Sequence, residues 1–269
     1  MGKKGNSGFS GVDKRFGMGG LNVKGNIDRH QNYLERLDGR LSPIGVFPTP
    51  TMWLDANSDN ITTVTYAGDE RVETWSDKSG NGIDASNFGS DVQKPFYDPT
   101  DSEFNDLPAV DFSTNDFLVT ADDNKLDVNS TGGFTVYVVF NYDSPPSTYF
   151  NFLISRTNGT SWTEGWGIYF YEPFSGTDEI RFFVNRYSPS GAYGRYASIP
   201  FVSSVFGTHI IKMVYDEVNI LGESFGYTKN SDTEPYTDSV VDPSSGIELC
   251  RASSSSYDIN GSIGETLFY

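Results

Sequence analysis

Phe134-Thr135-Val136-Tyr137-Val138-Val139-Phe140 is apolar at every position except Thr135. A short β-branched and aromatic run without a polar stripe suits a strand covered on both faces. Segments downstream read as further strands: Gly167–Tyr171, Ile180–Asn185, His209–Tyr215, Glu223–Thr228, Ile247–Arg251 and Ser262–Tyr269. Between strands stand Ser79-Gly80-Asn81-Gly82, Asn158-Gly159, Ser190-Gly191 and Asn260-Gly261, residues that tolerate positive φ and mark tight turns. No helical period runs through residues 52–269. Many short strands with this punctuation predict an all-β, antiparallel two-sheet sandwich or jelly roll. The missing crossover helices exclude a parallel βαβ fold. No internal repeat is present.

The 269 residues suffice for one large all-β domain or two small ones, and 28 Gly, 16 Tyr and 20 Phe favour strands joined by turns. Cys250 is the only cysteine, which excludes an intrachain disulfide framework and a cysteine zinc cluster. His30 and His209 alone exclude a multi-histidine metal site. No apolar run approaches the roughly 20 residues of a membrane helix. The opening MGKKGNSGFSGVDKRF lacks the apolar core of a secretory signal, so neither a membrane span nor signal-peptide export is expected.

Charge divides the chain. Of the net −17, residues 1–40 contribute +4 from eight basic and four acidic residues, and the remainder carries −21. An acidic body repels phosphates, so the main domain is not expected to bind nucleic acid. The head is basic through Lys3, Lys4, Lys14, Arg15, Arg29 and Arg36, among others, and rich in glycine. Such a stretch loses too much backbone entropy to fold alone. Residues 1–50 therefore read as an arm that anchors on a partner. A short helix over 28–41 is expected within it, capped by Asp28 with Leu34, Leu37 and Leu41 on one face. Pro43, Pro48 and Pro50 make the following stretch an extended connector.

Phe134–Phe140 is one of five stretches that occur in order along the chain. They are Trp53-Leu54-Asp55-Ala56, Val72 through Gly82 (VETWSDKSGNG), Leu107-Pro108-Ala109-Val110-Asp111-Phe112, the strand Phe134–Phe140, and Ile259 through Tyr269 (INGSIGETLFY). This ordered set resembles the laminin-G-like, concanavalin-type jelly roll over residues 51–269. The resemblance implies the fold. It implies less about function, because lectins, adhesins, enzyme appendages and phage virion proteins all use it.

Trp53 and Trp75 read as core or sheet-face anchors. The Asp77–Asp84 segment reads first as a hydrogen-bonded turn. The alternative is a calcium site using Asp77, Asn81 and Asp84. No other cofactor is expected. The stretch Ser155–Ser198 is rich in Tyr, Trp, Gly and Arg. Trp162, Trp166, Tyr193 and Tyr196, with Tyr169 and Tyr187, are candidates for a sugar-stacking surface, and Asp178, Asn185 and Arg186 for its polar contacts. The same aromatics could instead cover sheet faces, and both readings stand at this point.

Catalysis is not expected. The E-x-D-x-x-E pattern of glucanases with this jelly roll is absent, and Asp69-Glu70-Arg71-Val72-Glu73 has the wrong spacing. His209 precedes the apolar Ile210-Ile211 and reads as a sheet histidine. Gly17–Gly20 lacks the strand and Lys-Ser/Thr of a phosphate loop. The sequons at Asn60, Asn129, Asn158 and Asn260 are expected by chance in this composition. The arm, including NYLERLDGR at residues 32–40, resembles the heads of structural proteins of tailed phages. The leading expectation is thus a non-enzymatic phage virion protein, a capsid decoration or tail-associated one. Its expected partners are other virion proteins, copies of itself and a host surface glycan, with no membrane or nucleic-acid contact. The alternative is a lectin-like carbohydrate-binding module of a bacterial surface or extracellular protein.

Overall fold

The computed structural model describes residues 48–269, apart from residues 114, 129–131, 144–149, 159–161, 163, 172–177, 188–192, 201–206, 225–226, 232–239 and 253–258. The helix expected over 28–41 and the anchoring residues Lys3, Lys4, Lys14, Arg15, Arg29 and Arg36 lie outside the described residues.

In chain order the strands are β1 (Met52–Asp55), β2 (Ile61–Tyr66), β3 (Asp69–Trp75), β4 (Ala85–Ser86), β5 (Phe96–Asp101), β6 (Leu107–Phe112), β7 (Leu118–Thr120) and β8 (Phe134–Tyr142). Then come β9 (Phe150–Thr157), β10 (Gly165–Tyr171), β11 (Glu179–Tyr187), β12 (Tyr193–Pro200), β13 (Gly207–Tyr215), β14 (Ile220–Ser224), β15 (Tyr227–Ser231), β16 (Glu248–Leu249) and β17 (Gly261–Phe268). All their pairings are antiparallel. The first layer runs β15-β14-β13-β8-β17-β6-β5-β3. The second runs β7-β16-β9-β10-β11-β12. Short β4 bridges β3 to β7, so one ladder wraps both layers into a nearly closed jelly-roll sandwich.

β17 is the axis of the first layer. One side pairs along β8. The other pairs with β6 through Gly261–Ile263 and with β1 through Glu265–Phe268. A bulge at Gly264 lets one strand serve both neighbours. A Cβ there would lie 2.8 Å from the Phe104 ring, so the bulge also needs glycine for space.

Alternation along the strands builds the core. β8 sends Phe134, Val136, Val138, Phe140 and Tyr142 inward, and β10 answers with Trp166, Ile168 and Phe170. The layers meet where Trp166 lies 5.0 Å from Phe134 and 5.6 Å from Phe268 between ring centroids. Trp75 is fully buried, as an anchor should be. Trp53 is half-buried at the edge, with its indole N–H donating to Glu265 at 2.6 Å and the Lys78 ammonium 4.0 Å above its ring. His209 is buried within β13.

Arg156 of β9 is a fully buried cation. It donates to the carbonyls of Leu126, Ser245 and Pro243 and to the carboxylates of Asp122, Asp127 and Asp242. One side chain thereby pins two connecting segments to the second layer, which is how a buried guanidinium is tolerated. Two strand expectations needed revision. Glu223–Thr228 is the hairpin of β14 and β15, with Ser224 opposite Tyr227. Ile247–Arg251 shrinks to two strand residues, because Cys250 turns the chain at φ +58°.

Candidate functional site

While Trp166, Ile168, Phe170, Ile180, Phe182, Val184 and Ala197 face the core, the intervening residues of β9–β12 face outward. Phe152, Tyr169 and Phe183 form a second aromatic cluster there, with Trp162 and Ala252 lying over it. Trp162 packs 4.8 Å from Phe152 and edge-on to Phe150 at 5.7 Å. Gly167, opposite Phe183 in the ladder, makes the cluster fit, since a Cβ would sit 2.6 Å from the Phe183 ring.

At the rim of this bed, Phe150, Tyr171 and Tyr196 remain half-buried. Between the two tyrosines lies Arg181, its guanidinium carbon 3.6 Å from the Tyr171 centroid and 5.0 Å from that of Tyr196. Its Nε donates to Glu179 at 2.8 Å, and the Tyr169 hydroxyl also faces it. These partners outweigh desolvation and keep the guanidinium charged. The result is a braced strip of ring faces with one fixed fork of N–H donors. Neutral, hydroxyl-rich ligands stack on such rings and hydrogen-bond such forks.

The exposed platform expected from Trp162 and Trp166 is not formed. Trp166 is 0% exposed because its parity points it into the core, and Trp162 is 3% exposed because it covers Phe152. Tyr196 lies on the strip. Tyr193 and Tyr187 belong to β12 and β11, but their side chains, like that of Arg186, fall outside the described residues. Asn185 is fully buried and accepts from the Val241 N–H at 3.1 Å, a structural bond. Asp178 is half-buried just before β11. Tyr171, Arg181, Phe150 and Glu179 were not singled out from sequence. Their signal was parity: Tyr171 and Arg181 sit out of phase with Phe170 and Ile180.

The Asp77 loop is a knot of protein hydrogen bonds. Oδ1 of Asp77 accepts from the N–H groups of Trp53 and Ser79, both at 2.9 Å, and Oδ2 from Ser79 Oγ and the Ile83 N–H. Asp84 accepts from the Asp77 N–H at 2.7 Å, and the Asn81 amide donates to the Thr51 carbonyl. Gly80 and Gly82 take φ +86° and +74°, as the turn requires. Both Asp77 oxygens and one Asp84 oxygen are thus engaged by protein donors rather than left for a calcium ion. Among the described residues no group of three His, Cys, Asp or Glu side chains could hold a metal ion.

On the first layer, Asp111 of β6 faces outward with its carboxyl pushed up to about 6, chiefly by burial and then by the charges of Asp143 and Asp101. Asp143 is shifted up as well, by burial and by Asp101 and Glu103.

No family model matches this sequence, and no curated protein matches it. Solved structures share its fold. The binding domain of Paraclostridial Mosquitocidal Protein 1 matches with TM-score 0.54 at 12% identity, over 82% of this chain and 48% of that one. Domain 4 of a GH43 extracellular arabinanase from Geobacillus stearothermophilus, solved in complex with arabinotriose, matches with TM-score 0.52 at 13% identity, over 82% and 92%. A Trypanosoma rangeli sialidase, solved with a difluorinated KDN derivative, matches with TM-score 0.54 at 11% identity, over 92% and 37%. The chain thus spans about half the length of the first of these. The likeness supports the two-sheet jelly-roll fold.

Proposed function

We propose that residues 48–269 are a non-catalytic, lectin-like carbohydrate-binding module, and that glycan lies on the outer face of the second layer across Tyr171, Arg181 and Tyr196. The observation that carries this reading is the Arg181 guanidinium held between two half-exposed tyrosines on a rigid aromatic bed. Pre-ordered rings bind a sugar at little entropic cost. The arabinanase domain, which binds arabinotriose on a similar fold, favours the same reading. Glycoside hydrolysis needs two carboxyl groups flanking the bond. At this strip Glu179 is engaged by Arg181, which favours binding over cleavage.

The module acts outside the cell on this reading. The virion reading rests on residues 1–50, outside the described residues, and the structural neighbours named above include no virion protein. It therefore ranks second.

The test is binding of the full chain to arabinotriose and to an immobilised panel of neutral and sialylated oligosaccharides. Tyr196→Ala and Tyr171→Ala should each weaken binding about tenfold, close to 1.4 kcal/mol, while the melting temperature stays near that of the parent. A parent chain retained by no oligosaccharide would sink the reading.

A further inference from the structure

The outer face of the first layer has the opposite chemistry. Asp111, Ser262, Asn141 and Thr208 stand in cross-strand register on β6, β17, β8 and β13. The turn after β5 folds over this row: Phe104 packs on Ala109 and Val139, and Thr208 Oγ1 donates to the Glu103 carbonyl at 2.6 Å. Asp101 and Glu103 are thereby brought to Asp111 and Asp143. Among the described residues, none of these four carboxylates has an ion-pair partner.

A second feature points the same way. Asn141 is 3% exposed, and its Nδ2 donates to Asp143 Oδ1 at 2.6 Å. Its Oδ1 is buried with no hydrogen-bond partner. A buried acceptor left without a donor is costly and uncommon. Beside uncompensated carboxylates, a cationic donor would satisfy this oxygen and the surplus charge together. A metal ion would need its oxygens within about 2.6 Å, and no three acidic side chains here meet that demand. An ammonium or guanidinium on a long stem reaches several separated acceptors.

We propose that this recess takes a lysine or arginine side chain from the N-terminal segment, residues 1–40, of a second copy of the chain. That segment holds eight of the 19 basic residues against four acidic ones, whereas the remainder is at −21. Charge complementarity therefore selects it as occupant. The residues before Pro48 can extend on the order of 150 Å, so a neighbouring copy is within reach. The inference goes beyond glycan binding and uses a different face.

Sedimentation of the full chain tests it. The chain should self-associate at about 50 mM salt and dissociate when salt is raised about tenfold, since the contact is ionic. The double variant Asp111→Asn/Asp143→Asn should associate at least tenfold more weakly without a lower melting temperature. Lys14→Gln/Arg15→Gln, combined with Lys3→Gln/Lys4→Gln, should do the same from the other partner. Asp69→Asn, an exposed acid on β3, should leave association unchanged. A monomeric parent at low salt would overturn the proposal, and so would undiminished association of the Asp111/Asp143 double variant. A melting temperature that rises with added calcium in the parent but not in that double variant would also overturn it, by making the recess an ion site.

Discussion

The two outer faces of the sandwich are built by the same alternation and end in opposite states. On the second layer, Arg181 is met by Glu179, Tyr169, Tyr171 and Tyr196, and the rings pack into one cluster. On the first layer, four carboxylates and one buried amide oxygen gather with no cation among the described residues. A face whose charges are matched internally offers shape and stacking to a neutral ligand. A face with surplus charge repels itself, and protonation or a cation from outside would relieve that repulsion. The molecule thus separates an aromatic face with matched charge from an acidic face with surplus charge.

The contrast breaks most visibly at the core beneath the aromatic bed. Trp166→Ala should destabilise the domain by roughly 3–5 kcal/mol, because it empties a volume shared with Phe134 and Phe268. Chemical denaturation measures this. If Trp166→Ala kept full stability and lost only glycan binding, the inward parity of β10 would be wrong. Gly167→Ala comes next. Its methyl would press on Phe183, which should cost about 1–3 kcal/mol, with glycan binding weakened in proportion as the bed shifts.

The acidic face should show itself in pH dependence. The Asp111 carboxyl goes from 3.8 when unfolded to about 6 when folded. Between those values the folded state holds a proton that the unfolded chain has released. Its contribution to stability is therefore full below about 4 and lost as pH rises through 6. Asp143 and Asp116 are shifted in the same direction. For a partly exposed group the loss is on the order of 1 kcal/mol after solvent screening. Asp111→Asn should flatten that slope and raise stability at neutral pH. An unchanged slope would mean the carboxylates are already compensated. The smallest effect is expected from a chelator, which should leave the melting temperature in place because Asp77 is already held by protein donors.

β8, β10, β11, β13 and β17 were legible because their apolar and aromatic runs are bounded by turn residues, and the turn at Gly80–Gly82 carries its φ requirement in its residues. The aromatic strip was less legible. Counting aromatics between Ser155 and Ser198 brings Trp162, Trp166 and Tyr196 together, but stacking surfaces depend on parity, and parity drifts at bulges. The shift between Ile168 and Tyr169 in the β9–β10 ladder is such a place. Trp162, with φ +49° outside any strand, folds back over Phe152 in a way no periodicity announces. The acidic recess was invisible for a further reason: Asp101, Asp111 and Asn141 come from three strands whose register is settled only in three dimensions.

The place of β17 governs how the chain can be made. It lies between β8 on one side and β1 and β6 on the other, yet follows all of them in sequence. On the ribosome, residues 52–142 emerge long before the strand that joins them, and each presents an open hydrogen-bonding edge in the interval. The first layer must therefore close late, over contacts that span most of the domain, which makes for slow folding. A nascent chain arrested near residue 258 would hold β1, β6 and β8 apart with their apolar faces in water, and this is the window in which a chaperone, or aggregation, would decide its fate.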